Sequence, residues 1–384
     1  MDPVEIHEAG VLLRPWRPTD AEAVFEACQD PEIQRWTNVP RPYLREHAEG
    51  FVTTHTEQAW ASGTSAPLGV FEPTTGELLG SSGLVSLESR ARTAEIGFWT
   101  APGARAKGVA TRAARGVTRW AFEVLGLRRL VWRAEVGNHA SRVVAVRLGV
   151  QMEGLQRRGI ARADGTWTDG WAGSLLRGEL REAADPLDLN GQLIIERAGT
   201  FGGPQPQLSA LTPAGAAIRL RRPAGRDLDA IVAACRDRES AAWTTVPDPY
   251  QRRDAEFFTF EHAPAQWARG EGITCAIVDA DDAYCGSMEL RFLADPTVAD
   301  VGYLVAPWAR GRGVASTALR ELCRWAMESL ALRRIEWRAY VGNDASRRVA
   351  EKAGFTIEGV ARAGCTQRGR LHDAWVGSLL PGDV

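Results

Sequence analysis

The chain has 384 residues, 45% of them hydrophobic and 24% charged, with a formal net charge of −2. This composition suits an ordinary globular protein of two or three domains, each long enough to bury a core. The near-neutral balance gives no general pull toward nucleic acid or an anionic membrane, and neither is expected as a partner. No run approaches the roughly 18 apolar residues of a membrane span, and the opening ten residues have no signal-like apolar centre. Six cysteines (Cys28, Cys235, Cys275, Cys285, Cys323 and Cys365) lack CxxC spacing and read as reduced, mostly buried thiols of a cytoplasmic protein. The six histidines form no HxH or HExxH array, so no metal is expected.

Residues 11–18 predict a first strand running into a turn. A helix follows from Thr19 or Asp20, both cap candidates, to about Cys28. A proline-punctuated loop carries Trp36 and Tyr43, and an amphipathic helix runs from about Leu44 to Trp60. Strands are predicted at 66–72, 78–87 and 93–100, with turn signals between them. After a loop at 101–106, residues 107–125 place Val109, Ala113, Val117, Trp120, Ala121 and Val124 close to one helical face, with Gly126 as a C-cap. Residues 130–136 alternate as a strand does, Asn138 suits the N-cap of a short helix reaching Gly149, and two more strands lie near 150–157 and 171–179. From 181 to 216 the pattern weakens among prolines and glycines and reads as a linker, in which Leu193-Ile194-Ile195 are placed to add one strand to a neighbour.

After the linker the programme repeats. Arg14, Trp36, Tyr43 and Trp60 return as Arg221, Trp243, Tyr250 and Trp267, and Gly97, Trp120, Trp132, Asn138 and Ser141 return as Gly302, Trp325, Trp337, Asn343 and Ser346. About half the positions of 95–154 are identical in 300–359. The chain is therefore a tandem duplication, and both copies are expected to share one fold. The division expected is 1–180 for the first domain, 181–216 for the linker and 217–384 for the second domain.

The segment Arg105-Ala106-Lys107-Gly108-Val109-Ala110 occurs again as Arg310-Gly311-Arg312-Gly313-Val314-Ala315. Each is a basic, glycine-containing loop that feeds a predicted helix. Small residues let backbone N–H groups approach an anion, and the helix dipole adds about half a positive charge there. The pattern points to a phosphate or pyrophosphate ligand in each copy.

Strand, loop, helix, strand, helix and strand, with Arg-x-x-Gly-x-Ala at the first loop, resemble the GNAT acetyltransferase superfamily. Ala94-Glu95-Ile96-Gly97-Phe98-Trp99, Asn138-x-x-Ser141, Leu148-Gly149 and Glu153-Gly154 resemble more particularly its Rim-type branch of ribosomal-protein N-terminal acetyltransferases. The resemblance covers about 11–180 and 217–381. It implies an α/β fold: two tandem domains, each a mixed, mostly antiparallel twisted sheet with splayed central strands, flanked by helices.

The resemblance also implies a donor site for acetyl-CoA or another acyl-CoA, with the pantetheine arm between the splayed strands. Trp99-Thr100 and Leu304-Val305 would pair with that arm through their backbone. The pyrophosphate would lie on the loops, over Ala106, Lys107, Gly108, Val109, Ala110 and Thr111 in one copy and Gly311, Arg312, Gly313, Val314, Ala315 and Ser316 in the other. Arg105 and Arg310 open these loops, and Asn138 and Asn343 stand beside the cleft. The tyrosine that many members place seven residues after the asparagine is absent, since Ala145 and Ala350 stand there. Ser141 and Ser346 are the implied donors to the leaving thiolate, or else second capping hydroxyls of their helices. Glu95 and Asp300 are the candidates to accept the amine proton. Trp36, Tyr43, Asp169, Trp243, Tyr250 and Asp373 are placed near the amine acceptor, although each aromatic also suits a core and each carboxylate a salt bridge.

The function implied is N-acyl transfer, acetyl above all, from acyl-CoA to a primary amine by direct attack in a ternary complex. The acceptor is a small molecule or a protein N-terminus. Two other readings of the same residues stand beside it. One is a natural-product amine acyltransferase fed by an acyl carrier protein or another activated acyl donor. In the other, one copy binds acyl-CoA without turnover.

Overall fold

The computed structural model describes residues 1–383. The chain separates into two compact units, the first ending at Ile194 and the second beginning at Ile195. In the first unit the strands are β1 (Ile6–Glu8), β2 (Val11–Arg14), β3 (Ala66–Phe71), β4 (Leu78–Glu88), β5 (Thr93–Thr100), β6 (Arg129–Glu135), β7 (Gln151–Ala161) and β8 (Trp167–Leu176). They form one sheet in the order β1-β2-β3-β4-β5-β6-β8-β7. The second unit has β9 (Leu208–Leu211), β10 (Ala217–Arg221), β11 (Gly272–Asp279), β12 (Tyr284–Phe292), β13 (Val298–Val305), β14 (Arg334–Tyr340), β15 (Thr356–Gln367) and β16 (Arg370–Leu379), in the corresponding order from β9 to β15. Every pairing is antiparallel except β5 with β6 and β13 with β14, which are parallel. A parallel pair needs a crossover. The helices Val109–Glu123 and Val314–Leu330 provide it.

Those two helices build the cores. Val109, Ala113, Val117, Trp120 and Ala121 are buried together with Leu68, Leu84, Ile96 and Leu130 of the first sheet. Val314, Ala318, Leu319, Leu322 and Ala326 do the same with Ile273, Met288, Leu290 and Val301. Val124, expected on the buried face, is 71% exposed because the first helix ends one residue earlier and the chain turns away. The helix predicted over 44–60 is observed as Arg45–Gly50 and Thr56–Ser62 joined by a wider π turn at Phe51–His55. The second copy repeats that interruption at Phe258–His262.

Within the segment read as a linker, Leu189–Gly202 is a helix and Leu208–Leu211 a strand. Leu193-Ile194-Ile195, expected in a strand, are helical. The Asp188 carboxylate accepts the Gly191 N–H, and the Asp188 carbonyl accepts the Gln192 N–H, so a helical start is fixed before the β-branched residues are reached. Later in the same helix Arg197 donates to the carbonyls of Leu330 and Pro296, and Phe201 packs on Trp267.

Five of the six cysteines are buried and Cys365 is half-buried, all with free thiols. No helix among the described residues is long and apolar enough to cross a membrane.

Candidate active site

The two central strands part. β5 keeps parallel register with β6 only at Thr93, Ala94 and Glu95, and β13 with β14 only from Val298 to Val301. Beyond those points β5 and β13 stay bonded to β4 and β12 on their other edge. The backbone of 96–100 and 302–305 thus faces a wedge-shaped cleft. Trp99, Thr100, Leu304 and Val305 lie on this stretch.

The loops at the head of the cleft have the conformation that glycine permits. Gly108 and Gly313 precede their helices with φ of 74° and 76°, in the left-handed region. A Cβ at Gly108 would meet nothing within 4 Å, so the approach to the first helix is open. The first N–H groups of Val109–Glu123 and Val314–Leu330 have no partners within their helices, which leaves Val109, Ala110, Thr111, Val314, Ala315 and Ser316 at an anion-receptive end.

The arginines that open the loops do something else. The Arg105 guanidinium bonds both carboxylate oxygens of Asp30, which caps the helix Pro31–Trp36. Arg310 bonds Asp237 at 2.6 Å, Ser240 at 2.9 Å and Glu239 at 2.7 Å. The neighbouring guanidinium holds Asp30 below the usual carboxylate range. Asp237 is held low first by the Ser240 N–H and then by Arg310. The charge of both arginines is thus answered within the protein, and they tie the loop to the helix that follows Asp30 or Asp237. Lys107 donates to the Gly103 carbonyl, while Arg312 is exposed.

On the other wall, Asn138 and Asn343 cap the helices His139–Leu148 and Asp344–Ala353, each accepting from the serine N–H three residues on. The cap is the asparagine side chain, which leaves the serine hydroxyls free of that duty. The Trp132 indole donates to Ser141 Oγ at 3.0 Å. Indole nitrogen has no acceptor capacity, so the serine must receive and its own proton points elsewhere. In the second copy Ser346 Oγ lies 3.0 Å from the Tyr303 hydroxyl.

Glu95 and Asp300 occupy the same position, on β5 and β13, with different surroundings. Burial pushes the Glu95 carboxyl up, partly offset by Arg133 at 3.6 Å. Asp300 sits opposite Arg291 in the β12–β13 register and receives two hydrogen bonds from it, at 3.0 and 2.5 Å. Glu289, two residues before Arg291, receives His262 at 2.7 Å and Gln266 at 2.9 Å. Burial pushes Glu289 up, but these hydrogen bonds and Arg291 leave it below its ordinary value. Gly83 stands where the second copy has Glu289, since both residues pair with the equivalent glycines Gly97 and Gly302.

Tyr43 is buried in a core with Trp16, Val24, Ile33 and Phe71, beside Cys28. Trp36 is half-buried and donates to Glu32. Asp169 and Asp373 accept the N–H groups of Arg158 and Ala363, which have φ of 47° and 51° in the bulges of β7 and β15. Each therefore anchors a bulge. In the second unit the structure opens a cavity of about 790 Å³ that brings together Asp300, Leu304, Val305, Arg310, Gly311, Gly313, Val314, Ala315, Ser316, Asn343 and Ser346, with Trp243 and Tyr250 in its wall. Asp373 and Arg312 are not part of that lining. Sequence reading missed Tyr303, Glu289 and Arg291, which are. The signal available was the exchange of Phe98 for Tyr303 within the matching blocks.

The family model of the acetyltransferase (GNAT) domain matches residues 11–151 and again 217–356. A protein of Bacillus subtilis named "Putative ribosomal N-acetyltransferase YdaF" is 38% identical over 116 residues, 30% of this chain and 63% of its own length. The chain thus spans a little under two thirds of that relative. The N-acetyltransferase YoaA of the same organism, itself uncharacterized, is 28% identical over 148 residues, 38% of this chain and 83% of its own. The solved structure of Mycobacterium smegmatis RimJ in complex with CoA-disulfide is 22% identical with a TM-score of 0.42, covering 47% of this chain and 89% of that one. With the family model matched twice, over most of the chain and in step with the two sheets, this protein belongs to the GNAT acetyltransferase family as a tandem of two such domains.

Proposed function

We propose that each half transfers an acyl group, acetyl in the first instance, from an acyl-CoA thioester to a primary amine by direct attack. The observation that carries this reading is the parting of β5 from β6, and of β13 from β14, beside a left-handed glycine that opens a helix. A parted strand offers unpaired amides to an extended amide-bearing arm, and the helix end suits the arm's pyrophosphate.

Three demands of the chemistry then fall to residues of this chain. A backbone N–H of 96–100 or 302–305 stabilises the charge that develops on the carbonyl oxygen. In the first copy Glu95, kept easily protonated by burial, accepts the amine proton, directly or through a water. In the second copy the carboxylate available at that position is Asp300, held by Arg291. Ser141 and Ser346 donate a hydrogen bond to the departing thiolate. The acceptor is an amine, either a protein N-terminus or a small molecule; the Bacillus subtilis relative bears the name of a putative ribosomal N-acetyltransferase, which favours the first.

Ser141→Ala and Ser346→Ala, made together, are expected to lower the release of CoA from acetyl-CoA about tenfold, the worth of one hydrogen bond to a charged group. A peptide with a free N-terminus serves as acceptor, and calorimetry near pH 7 is expected to find acetyl-CoA binding retained. Unchanged turnover would remove the serines from the reaction. Binding without turnover in the unaltered chain would favour an acyl-CoA-binding module.

A further inference from the structure

We propose that the second copy contains a positioning hydroxyl, Tyr303, which turns the Ser346 proton toward the sulfur of the departing CoA. The inference rests on the acyltransfer reading above and gives the two copies different thiolate-side machinery.

The chain supplies its own comparison. Phe98 on β5 and Tyr303 on β13 are equivalent, as are Trp132 and Trp337, and Ser141 and Ser346. In the first copy the Trp132 indole donates straight to Ser141 Oγ at 3.0 Å. In the second copy the Tyr303 phenol stands between the two groups. Its hydroxyl donates to the Ser346 carbonyl at 2.9 Å and lies 3.0 Å from Ser346 Oγ. Tyr303, Trp337 and Ser346 all face the 790 Å³ cavity.

A proton count shows what this arrangement allows. The single phenol proton has two acceptors at nearly equal distance, and the serine has one proton of its own. With no anion nearby, Tyr303 gives its proton to the Ser346 carbonyl, and Ser346 gives its proton back to Tyr303. When negative charge forms on sulfur, the phenol proton turns to Ser346 Oγ and the serine proton turns outward to the sulfur. No covalent bond is made or broken in this rearrangement, and no proton leaves either residue. Burial supports that, since it pushes the Tyr303 hydroxyl far above its ordinary value and keeps it a donor. In the first copy the indole donates to Ser141 Oγ directly, so the serine proton is turned away from it without any phenol between them.

The test needs no acceptor. Free CoA and acetyl-CoA are titrated calorimetrically into the full chain carrying Gly108→Glu, which confines binding to the second copy, at about pH 7 and about pH 9.5. That interval spans the ordinary thiol value near 8.5. The affinity of CoA, but not of acetyl-CoA, is expected to rise with pH as the thiolate forms. Tyr303→Phe is expected to remove about tenfold of that rise while changing acetyl-CoA affinity less than about twofold. Ser346→Ala is expected to do the same, and the double variant to do no more than either alone. Equal losses for CoA and acetyl-CoA, or additive effects of the two substitutions, would reduce Tyr303 to a packing residue. Binding of both ligands without the pH-linked loss overturns this inference alone, whereas failure of the parent chain to bind either ligand overturns the acyltransfer reading with it.

Discussion

Glu95→Gln is expected to lower acetyl transfer at the first copy about a hundredfold, the lower end of what a positioned base contributes. Glutamine keeps the size and polarity of the side chain but cannot take the amine proton. The sign of the pH effect follows from the surroundings. Burial raises the Glu95 carboxyl above its ordinary value, with Arg133 opposing in part. The protonated form is inactive as a base, so the rate rises with pH through a midpoint above the normal glutamate range and levels off once the group is ionised. The variant loses that limb along with the rate. Asp300→Asn is the internal contrast. Asp300 already receives two hydrogen bonds from Arg291, which engage its carboxylate within the protein, so the substitution is expected to cost the second copy less than Glu95→Gln costs the first. Rate profiles on chains with one loop blocked by Gly108→Glu or Gly313→Glu separate the copies. A Glu95→Gln chain that keeps both its rate and its acid limb would place the base elsewhere.

Asp20→Ala is expected to destabilise the first unit by about 3 kcal/mol, because it takes the carboxylate from a buried guanidinium and leaves it the Pro15 carbonyl and the Phe71 ring. Arg14 and Asp20 are joined by hydrogen bonds of 2.8 and 2.9 Å with both side chains almost wholly buried. Asp20 also accepts the Arg17 N–H, so the substitution removes a cap as well. In a unit of this size the loss corresponds to a fall in its unfolding midpoint of roughly 6 to 12 °C. The second copy repeats the pair as Arg221 and Asp227 but adds Asp282, 2.8 Å from Arg221. Asp227→Ala therefore leaves the guanidinium a remaining partner and is expected to cost less than its counterpart. Calorimetric melting of both variants checks the order, and equal or reversed losses would contradict it.

The architecture was legible because duplication is its own control. A glycine or asparagine that returns at the same offset marks a backbone requirement, which is why Gly108, Gly313, Asn138 and Asn343 were found at the positions where left-handed backbone and caps occur. The ion pairs that decide electrostatics were harder to read, because they join residues distant in the chain. Arg105 meets Asp30 from 75 residues away, and an arginine in a phosphate-loop motif gives no sign that a carboxylate has already claimed it. The Arg291–Asp300 pair follows from the β12–β13 register, which periodicity alone does not set. The resemblance places Asp169 and Asp373 near the acceptor. Their use as bulge anchors depends on left-handed residues at Arg158 and Ala363 that composition does not announce. Tyr303 is hidden from this kind of reading because a repeat marks what the copies share, and Tyr303 differs from its counterpart Phe98.

The central claim is that each half holds an acyl-CoA donor site at its glycine loop. Calorimetric titration of acetyl-CoA and free CoA into the unaltered chain, and into Gly108→Glu and Gly313→Glu variants whose folding is confirmed by circular dichroism, tests it most directly. The account predicts two sites in the unaltered chain, with one lost in each variant as a carboxylate enters an anion-receptive helix end. No binding to the unaltered chain, or two sites surviving in both variants, would contradict it.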